Sequence, residues 1–290
     1  MKLAEKHRLA VISADSRQIY RGFDIGTAKP AALDRERVAH YGIDVIGPEE
    51  RYSAARFGDD ARGWIGDAVS RGLTPVVVGG TGLYIRALFE PLSAVPELDA
   101  DRRRELHAVL EAMPLAELRR WAEQIDPVRA RLGKAQLLRA IETALLAGEK
   151  ISDSHRRQAS TPAEPEATAL TPSYLVVDPV EKLHARIETR VDEMLRGGWV
   201  KEARRLDASI AADAPAWNAS GYQVVRDVAR GAEQLATARA RVIIETRQYA
   251  KRQRTWFRNQ LPPERVTKVD PESPGGDLLV ERWWEEAGEG

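Results

Sequence analysis

The sequence predicts an α/β fold, in which a parallel sheet is flanked by helices and interrupted by a helical insertion. Short apolar runs of strand length alternate with amphipathic stretches at both ends of the 290 residues. From Asp99 to about Gly148 the pattern is helical throughout. We therefore predict an α/β core over residues 1–96 and 132–290, and a helical insertion over 97–131.

The first predicted strand is Leu9–Ser13, an apolar run that places Asp15 at its carboxyl end. The next unit is a helix with Ser53 as its N-cap and Gly72 after its last turn, and it leads into the β-branched strand Thr74–Gly79. A helix followed by such a strand is typical of parallel sheets, which bind ligands at the carboxyl ends of their strands.

Strand and helix return after the insertion. Tyr174–Asp178 predicts a core strand, and Asp178-Pro179 predicts the N-cap and first turn of the following helix. That helix carries Leu183, Ile187 and Val191 at helical spacing.

The composition excludes several classes of protein. The absence of cysteine rules out disulfides, thiolate metal sites and catalytic thiols. The apolar runs are far shorter than the roughly 20 residues of a membrane helix. We therefore expect a cytoplasmic protein without membrane contact. The five histidines have no metal-ligand spacing, so we assign them no role.

The net charge is zero, with 44 basic and 44 acidic residues, but the charges are separated along the chain. Arg239–Arg258 contains seven basic residues and one acidic residue, whereas Asp270–Gly290 contains seven acidic residues and one basic residue. A local basic patch can bind a polyanion even when the whole protein is neutral.

Four cations of the basic segment fall on one helical stripe: Arg247, Lys251, Arg254 and Arg258. A row of cations on a rigid helix can match a phosphate backbone. The alternative is an ordinary solvated face that the acidic tail balances. Trp256 fits the packed face of the same helix better than a base-stacking platform.

Two further features allow two interpretations each. Asp15, at the end of a strand, suits a general base or a metal ligand, or it merely caps the next turn. The glycine-rich segment at residues 79–82 either cradles a phosphate or only changes the direction of the chain.

Six blocks of the sequence resemble one family, the bacterial tRNA dimethylallyltransferases, in the family's order and over almost the whole chain. They are residues 12–30 (ISADSRQIYRGFDIGTAKP), 78–88 (VGGTGLYIRAL), 138–142 (LRAIE), 190–198 (RVDEMLRGG), 220–222 (SGY) and 246–258 (TRQYAKRQRTWFR). The resemblance implies a P-loop-NTPase-like core with a helical insertion that grips the anticodon arm. The eukaryotic branch carries a zinc finger, which a chain without cysteine cannot form.

The resemblance implies transfer of a dimethylallyl group from dimethylallyl diphosphate to N6 of the adenosine 3′-adjacent to the tRNA anticodon, with Mg²⁺ on the diphosphate. The target base has to leave the loop stack to react. Asp15 matches the catalytic aspartate, which accepts an N6 proton, and Thr81 matches a threonine near the reacting groups. We expect a monomer whose partners are tRNA and the donor.

The blocks also imply tRNA-binding residues in several segments of the chain. These are Asp15, Ser16, Arg17, Gln18, Arg139, Gly221, Arg247, Lys251, Arg252, Gln253, Arg254, Trp256 and Arg258.

One departure from the family pattern leaves alternatives open. The phosphate-binding loop G-x-x-x-x-G-K-[ST] does not occur in this sequence. We therefore expect most of the diphosphate affinity and one central strand to be absent. Either the start is placed too late, or the chain is a truncated product that is inactive alone. A non-catalytic tRNA-binding remnant and a small-molecule kinase-like enzyme are the alternative functions.

Overall fold

The computed structural model describes residues 2–90, 98–160 and 171–288. The chain divides into two compact units. One unit combines Met1–Glu90 with Leu170–Gly290 and holds every strand of the described ranges, and the other, Pro91–Ala169, is helical.

The α/β unit contains the following elements, numbered along the whole chain: α1 (Lys2–Lys6), β1 (Leu9–Ser13), α2 (Ala32–Arg37), β2 (Ala39–Tyr41), α3 (Ala54–Ser70), β3 (Thr74–Val78), α4 (Gly82–Phe89), β4 (Tyr174–Val177), α9 (Leu183–Arg196), α10 (Trp199–Asp207), α11 (Tyr222–Ala229), α12 (Leu235–Gln260), β5 (Val266–Val269) and α13 (Gly276–Gly288). The helical unit contains α5 (Ala100–Glu111), α6 (Leu115–Ile125), α7 (Lys134–Ala147) and α8 (Ile151–Ser160). Within the described ranges, no helix combines the length and apolar character that crossing a bilayer requires.

β1 is the central strand of a three-stranded parallel sheet with the order β2-β1-β3. In the register of this sheet, Val11 lies opposite His40 of β2 and Val76 of β3. Because the strands are parallel, the carboxyl ends of β1 and β3 meet at one edge of the sheet. Asp15 and Gly79 follow those two ends, so the sheet brings the two sequence motifs together.

The predicted strand at Tyr174–Asp178 forms, but the prediction that it lies in the core is wrong. β4 makes a separate parallel pair with β5, and Leu175 lies opposite Thr267. Because β5 is its only strand neighbour in the described sheets, β4 is half-buried and Val177 is exposed.

The predicted N-cap at Asp178 is also wrong. The helix α9 begins at Leu183, with Lys182 as its N-cap residue. The Asp178 carboxylate instead accepts a hydrogen bond from the guanidinium of Arg254, with 3.0 Å between Nε and Oδ1.

The helix α3 forms as its sequence signals predict. The Ser53 hydroxyl caps it by accepting a hydrogen bond from the backbone N–H of Arg56 at 3.1 Å. Its buried face packs Phe57 on the ring of Tyr84 in α4, with 4.3 Å between ring centroids, and both rings belong to the same buried cluster as Ile12 of β1. This packing holds β1 and the start of α4 at fixed positions beneath the edge that carries Asp15.

A buried polar network holds the loop at residues 24–28. The Glu202 carboxylate, 7% exposed, accepts hydrogen bonds from the backbone N–H of Asp24 and Ile25 and from the Tyr222 hydroxyl. The same hydroxyl accepts a hydrogen bond from the N–H of Gly26 at 3.1 Å. Burial, followed by the negative charge of Glu202, raises the pKa of Tyr222, so this phenol stays protonated and can donate.

We expect the replacement Glu202→Ala to destabilise the fold by about 2–4 kcal/mol, because it leaves two loop amides and a phenol without a partner in a buried position. The matched variant Tyr222→Phe removes only the hydroxyl and should cost about 1 kcal/mol. Urea unfolding measures both. Equal losses in the two variants would show that Glu202 does not organise the loop.

The helical unit has its own core of Leu110, Leu118, Leu137 and Ile141. It is longer than the predicted insertion over 97–131, because α7 packs against both α5 and α6. The Glu142 carboxylate of α7 is buried and pairs with Arg103 of α5, with 2.8 Å between Nε and Oε2. Residue 97, the predicted start of the insertion, lies outside the described residues.

Candidate functional site

Asp15 lies in the turn that follows the carboxyl end of β1, as its sequence position predicts. Its Oδ1 caps the turn by accepting a hydrogen bond from the backbone N–H of Arg17 at 2.8 Å. Its Oδ2 accepts no hydrogen bond from the residues that the structure describes. The carboxylate is therefore oriented by one oxygen and can receive a proton on the other.

Thr81 lies beside Asp15 through a link between two loops. The Thr81 Oγ1 accepts a hydrogen bond from the backbone N–H of Ser16 at 3.0 Å and lies 3.3 Å from the Ser16 hydroxyl. The backbone N–H of Thr81 donates to the carbonyl of Ala14. The predicted catalytic pair thus belongs to one hydrogen-bonded substructure.

The glycines of the turn at residues 79–82 allow close packing. A Cβ on Gly79 would lie 2.3 Å from the carbonyl oxygen of Ala14. A Cβ on Gly80 would lie 1.7 Å from the amide nitrogen of Gln253, and a Cβ on Gly82 would lie 2.2 Å from the indole of Trp256. The turn therefore changes the direction of the chain against the Asp15 loop and receives the side chains of α12.

Gln18 is committed to contacts within the protein. Its side-chain oxygen accepts from the Ser13 hydroxyl at 2.9 Å, and its amide nitrogen donates to the carbonyls of Thr27 and Ala28 at 3.2 Å. Gln253 is similar, since its amide donates to the Gly80 carbonyl at 3.0 Å. These two residues, implied as tRNA contacts, shape the site in this structure.

The four cations of the predicted stripe differ in whether a carboxylate of the protein pairs with them. Arg247 pairs with Glu188 of α9 at 2.5 Å, and Arg254 pairs with Asp178. Lys251 and Arg258 are exposed, and no carboxylate of the described chain pairs with them. Two of the four charges are therefore fully available to an external polyanion, and the other two tie α12 to its own unit.

Three other implied residues occupy different environments. Arg252 is exposed, and its guanidinium lies 5.8 Å from the ring centroid of Tyr249. Gly221 has φ +79°, and a Cβ there would lie 2.6 Å from the Trp199 indole, so packing alone requires a glycine. Arg139 is exposed on α7 of the helical unit.

A cleft of about 1330 Å³ opens beside Asp15 in the α/β unit. Asp15 and Arg17 line it, and so does one stripe of cations at α9, formed by the N-cap residue Lys182 and by Arg186 and Arg190 of the helix. Lys182 and Arg186 share the carboxylate of Glu272 at 2.6 and 3.0 Å, whereas Arg190 pairs with no carboxylate in the described ranges. A carboxylate and several cations thus line a single space.

Among the cleft residues that are absent from the predicted site are Arg190 and Tyr249. Both lie inside the motif blocks at residues 190–198 and 246–258. Arg190 has no sequence signal beyond that, because one exposed arginine on an amphipathic helix is ordinary. Tyr249 lies on the packed face of α12, where a tyrosine is interpreted as core.

Divalent metal binding has to be considered from the side chains present. Among the residues that the structure describes, no three His, Asp or Glu side chains cluster closely enough to hold an ion. Mg²⁺ that arrives on a substrate phosphate needs only one or two protein oxygens. The Glu193 carboxylate, on the same helix as Arg190 and at the cleft, fits such a supporting role.

Comparison with known proteins places this geometry in a family. A model described as IPP transferase matches residues 18–260. A tRNA dimethylallyltransferase of Halorhodospira halophila is 41% identical over 278 residues, covering 93% of this chain and 88% of that protein. One from Aromatoleum aromaticum is 40% identical over 273 residues, covering 90% of this chain and 84% of that protein.

Solved structures agree with the sequence comparison. The tRNA delta(2)-isopentenylpyrophosphate transferase of Staphylococcus epidermidis superposes with a TM-score of 0.65 and 30% identity, covering 100% of this chain and 94% of that one. The enzyme of Bacillus halodurans gives 0.66 and 32%, covering 99% and 90%. These neighbours have a P-loop-NTPase-like fold, which confirms the predicted fold class. The chain belongs to the IPP transferase family, among the tRNA dimethylallyltransferases.

Proposed function

We propose that this chain transfers a dimethylallyl group from dimethylallyl diphosphate to N6 of the adenosine 3′-adjacent to a tRNA anticodon. The observation that carries the proposal is the single cleft that joins a carboxylate, Asp15, to a stripe of cations on α9. The names of the relatives favour this function over the kinase-like and non-catalytic alternatives. A tRNA-modifying enzyme also works where tRNA is, so we expect it in the cytoplasm.

Asp15 is the proposed general base. The N6 nitrogen attacks the first carbon of the donor, the carbon–oxygen bond to the diphosphate breaks, and the N6 proton passes to Asp15 Oδ2. An exocyclic amine is a poor nucleophile, so a carboxylate held in position is of direct use. The hydrogen bond from Arg17 N–H to Oδ1 orients the carboxylate, while Oδ2 has no hydrogen-bond donor among the described residues.

The stripe of cations on α9 is suited to the leaving diphosphate. Arg190 is the member without a carboxylate partner in the described chain, so it can pair with phosphate oxygens without losing an internal contact. Family members generally use a divalent metal. We propose Mg²⁺, which would neutralise charge on the departing diphosphate, with Glu193 as a supporting oxygen ligand.

The tRNA is expected to bind along α12 and beside Asp15. Lys251, Arg252 and Arg258 present exposed charge for phosphates, while Ser16 and Arg17 border the reacting atoms. Arg139 adds an exposed cation from the helical unit. Gln18, Gln253 and Gly221 act by shaping these surfaces, since their contacts lie inside the protein.

Replacing Arg190 with alanine tests the donor site. We expect KM for dimethylallyl diphosphate to rise roughly 10-fold, with tRNA affinity unchanged, because one charge-assisted phosphate contact is lost. Steady-state rates of prenyl transfer at varied donor concentration measure this KM. The matched variant Arg196→Ala removes a charge from the exposed end of α9 and should leave KM unaltered. An unchanged KM in Arg190→Ala would place the diphosphate elsewhere.

A further inference from the structure

Tyr249 occupies the contact between α12 and the catalytic turn. It is half-buried, and it lines the cleft together with Asp15, Gly80 and Gln253. Its hydroxyl faces the side chains of Thr81 and Gln253. Burial, followed by the negative charge of Asp15, raises the pKa of Tyr249, so the group is a neutral phenol at ordinary pH.

Two hydrogen bonds beside that phenol tie α12 to the glycine turn and the glycine turn to the Asp15 loop. Gln253, one turn along α12, donates to the carbonyl of Gly80 and so anchors this part of the helix on the glycine turn. On the other side, Thr81 accepts from the N–H of Ser16, the residue that follows Asp15. Tyr249 therefore lies between the point where α12 is anchored on Gly80 and the turn in which Thr81 binds the Asp15 loop.

The same segment of α12 carries exposed charge. Lys251 and Arg252 lie two and three residues beyond Tyr249, and the Arg252 guanidinium lies 5.8 Å from its ring centroid. RNA that binds these cations would contact the same segment of α12 that carries Tyr249. A phenol in this place can set the orientation of the catalytic loop without contacting the RNA.

We propose that Tyr249 is a positioning residue for prenyl transfer, which holds Thr81 and the Asp15 loop against α12 when tRNA is bound. The inference rests on the proposed function. It assigns Tyr249 a role in the rate of the chemical step and no role in the affinity for either substrate.

The test is Tyr249→Phe, assayed with the full chain, unmodified tRNA and dimethylallyl diphosphate. We expect kcat to fall roughly 3- to 10-fold because the hydroxyl no longer faces Thr81, with both KM values and tRNA affinity unchanged. Thr81→Val in the Tyr249→Phe background should reduce kcat less than it does in the wild type, since both changes act on the same pair of side chains. The matched control is Tyr174→Phe, a half-buried tyrosine outside the cleft, which should keep full kcat.

The possible outcomes distinguish failure of the positioning role from failure of the proposed function. An active wild type with an equally active Tyr249→Phe overturns the positioning role and leaves the proposed function standing. A rise in KM for tRNA at constant kcat also overturns it, because Tyr249 would then contact RNA. A wild type that forms no product overturns the proposed function and this inference together.

Discussion

Replacing Asp15 with asparagine is expected to reduce prenyl transfer by about 10²- to 10⁴-fold, the range typical of a lost general base. Asparagine preserves the size of the side chain and its oxygen can still accept from the Arg17 N–H, so the turn after β1 should survive. What disappears is the group that accepts the N6 proton. Single-turnover transfer to tRNA at saturating donor measures the loss directly.

Binding measurements supply the control for that variant. Affinity for tRNA should change little in Asp15→Asn, because an amide of the same shape replaces the carboxylate. The unfolding midpoint in urea should also match that of the wild type. Near-normal turnover in a folded Asp15→Asn protein would refute the role of Asp15 as the base.

The double replacement Lys251→Ala and Arg258→Ala should weaken tRNA binding about 10- to 100-fold at low salt and flatten its salt dependence. Both cations are exposed and have no carboxylate partner in the described part of the chain. Each lost phosphate contact should lower the slope of log affinity against log salt by about 0.7 to 0.9. Titration of tRNA at several salt concentrations gives the slope.

A pair of cations elsewhere on the unit provides the matched control. Lys201 and Arg204 are exposed on α10, and their replacement by alanine removes the same two charges. That variant should keep the salt slope of the wild type. If both double variants flatten the slope equally, the protein binds tRNA through its general charge and α12 is no specific interface.

Local sequence signals were sufficient for much of the fold. Leu9–Ser13 forms β1 within the predicted bounds, and Ser53 caps α3, because hydrophobic period and capping depend on adjacent residues. Asp178 shows the limit of such signals. Its place before a proline predicts an N-cap, yet its carboxylate accepts a hydrogen bond from Arg254, which is 76 residues away in the sequence. No short-range pattern reports a partner so distant.

The same limit applies to the candidate site. Helical spacing places Arg247, Lys251, Arg254 and Arg258 on one stripe, but spacing cannot show that Glu188 and Asp178 pair with two of them. The sequence predicts Tyr249 as a core residue. The turn that carries Thr81 is distant in the sequence and approaches Tyr249 only in the folded chain, so no local pattern indicates their contact. The assignment of site residues stays a prediction, in which chemistry and motif coincide at Asp15, whereas Thr81 rests on the motif alone.

The most direct test of the proposed function is formation of the product itself. Unmodified tRNA is incubated with the chain, dimethylallyl diphosphate and Mg²⁺, then digested to nucleosides and analysed by mass spectrometry. We predict one dimethylallyl group on N6 of the adenosine 3′-adjacent to the anticodon, and almost none with Asp15→Asn. Salt-sensitive tRNA binding without product at any donor concentration would contradict the proposal and make this chain a binding protein.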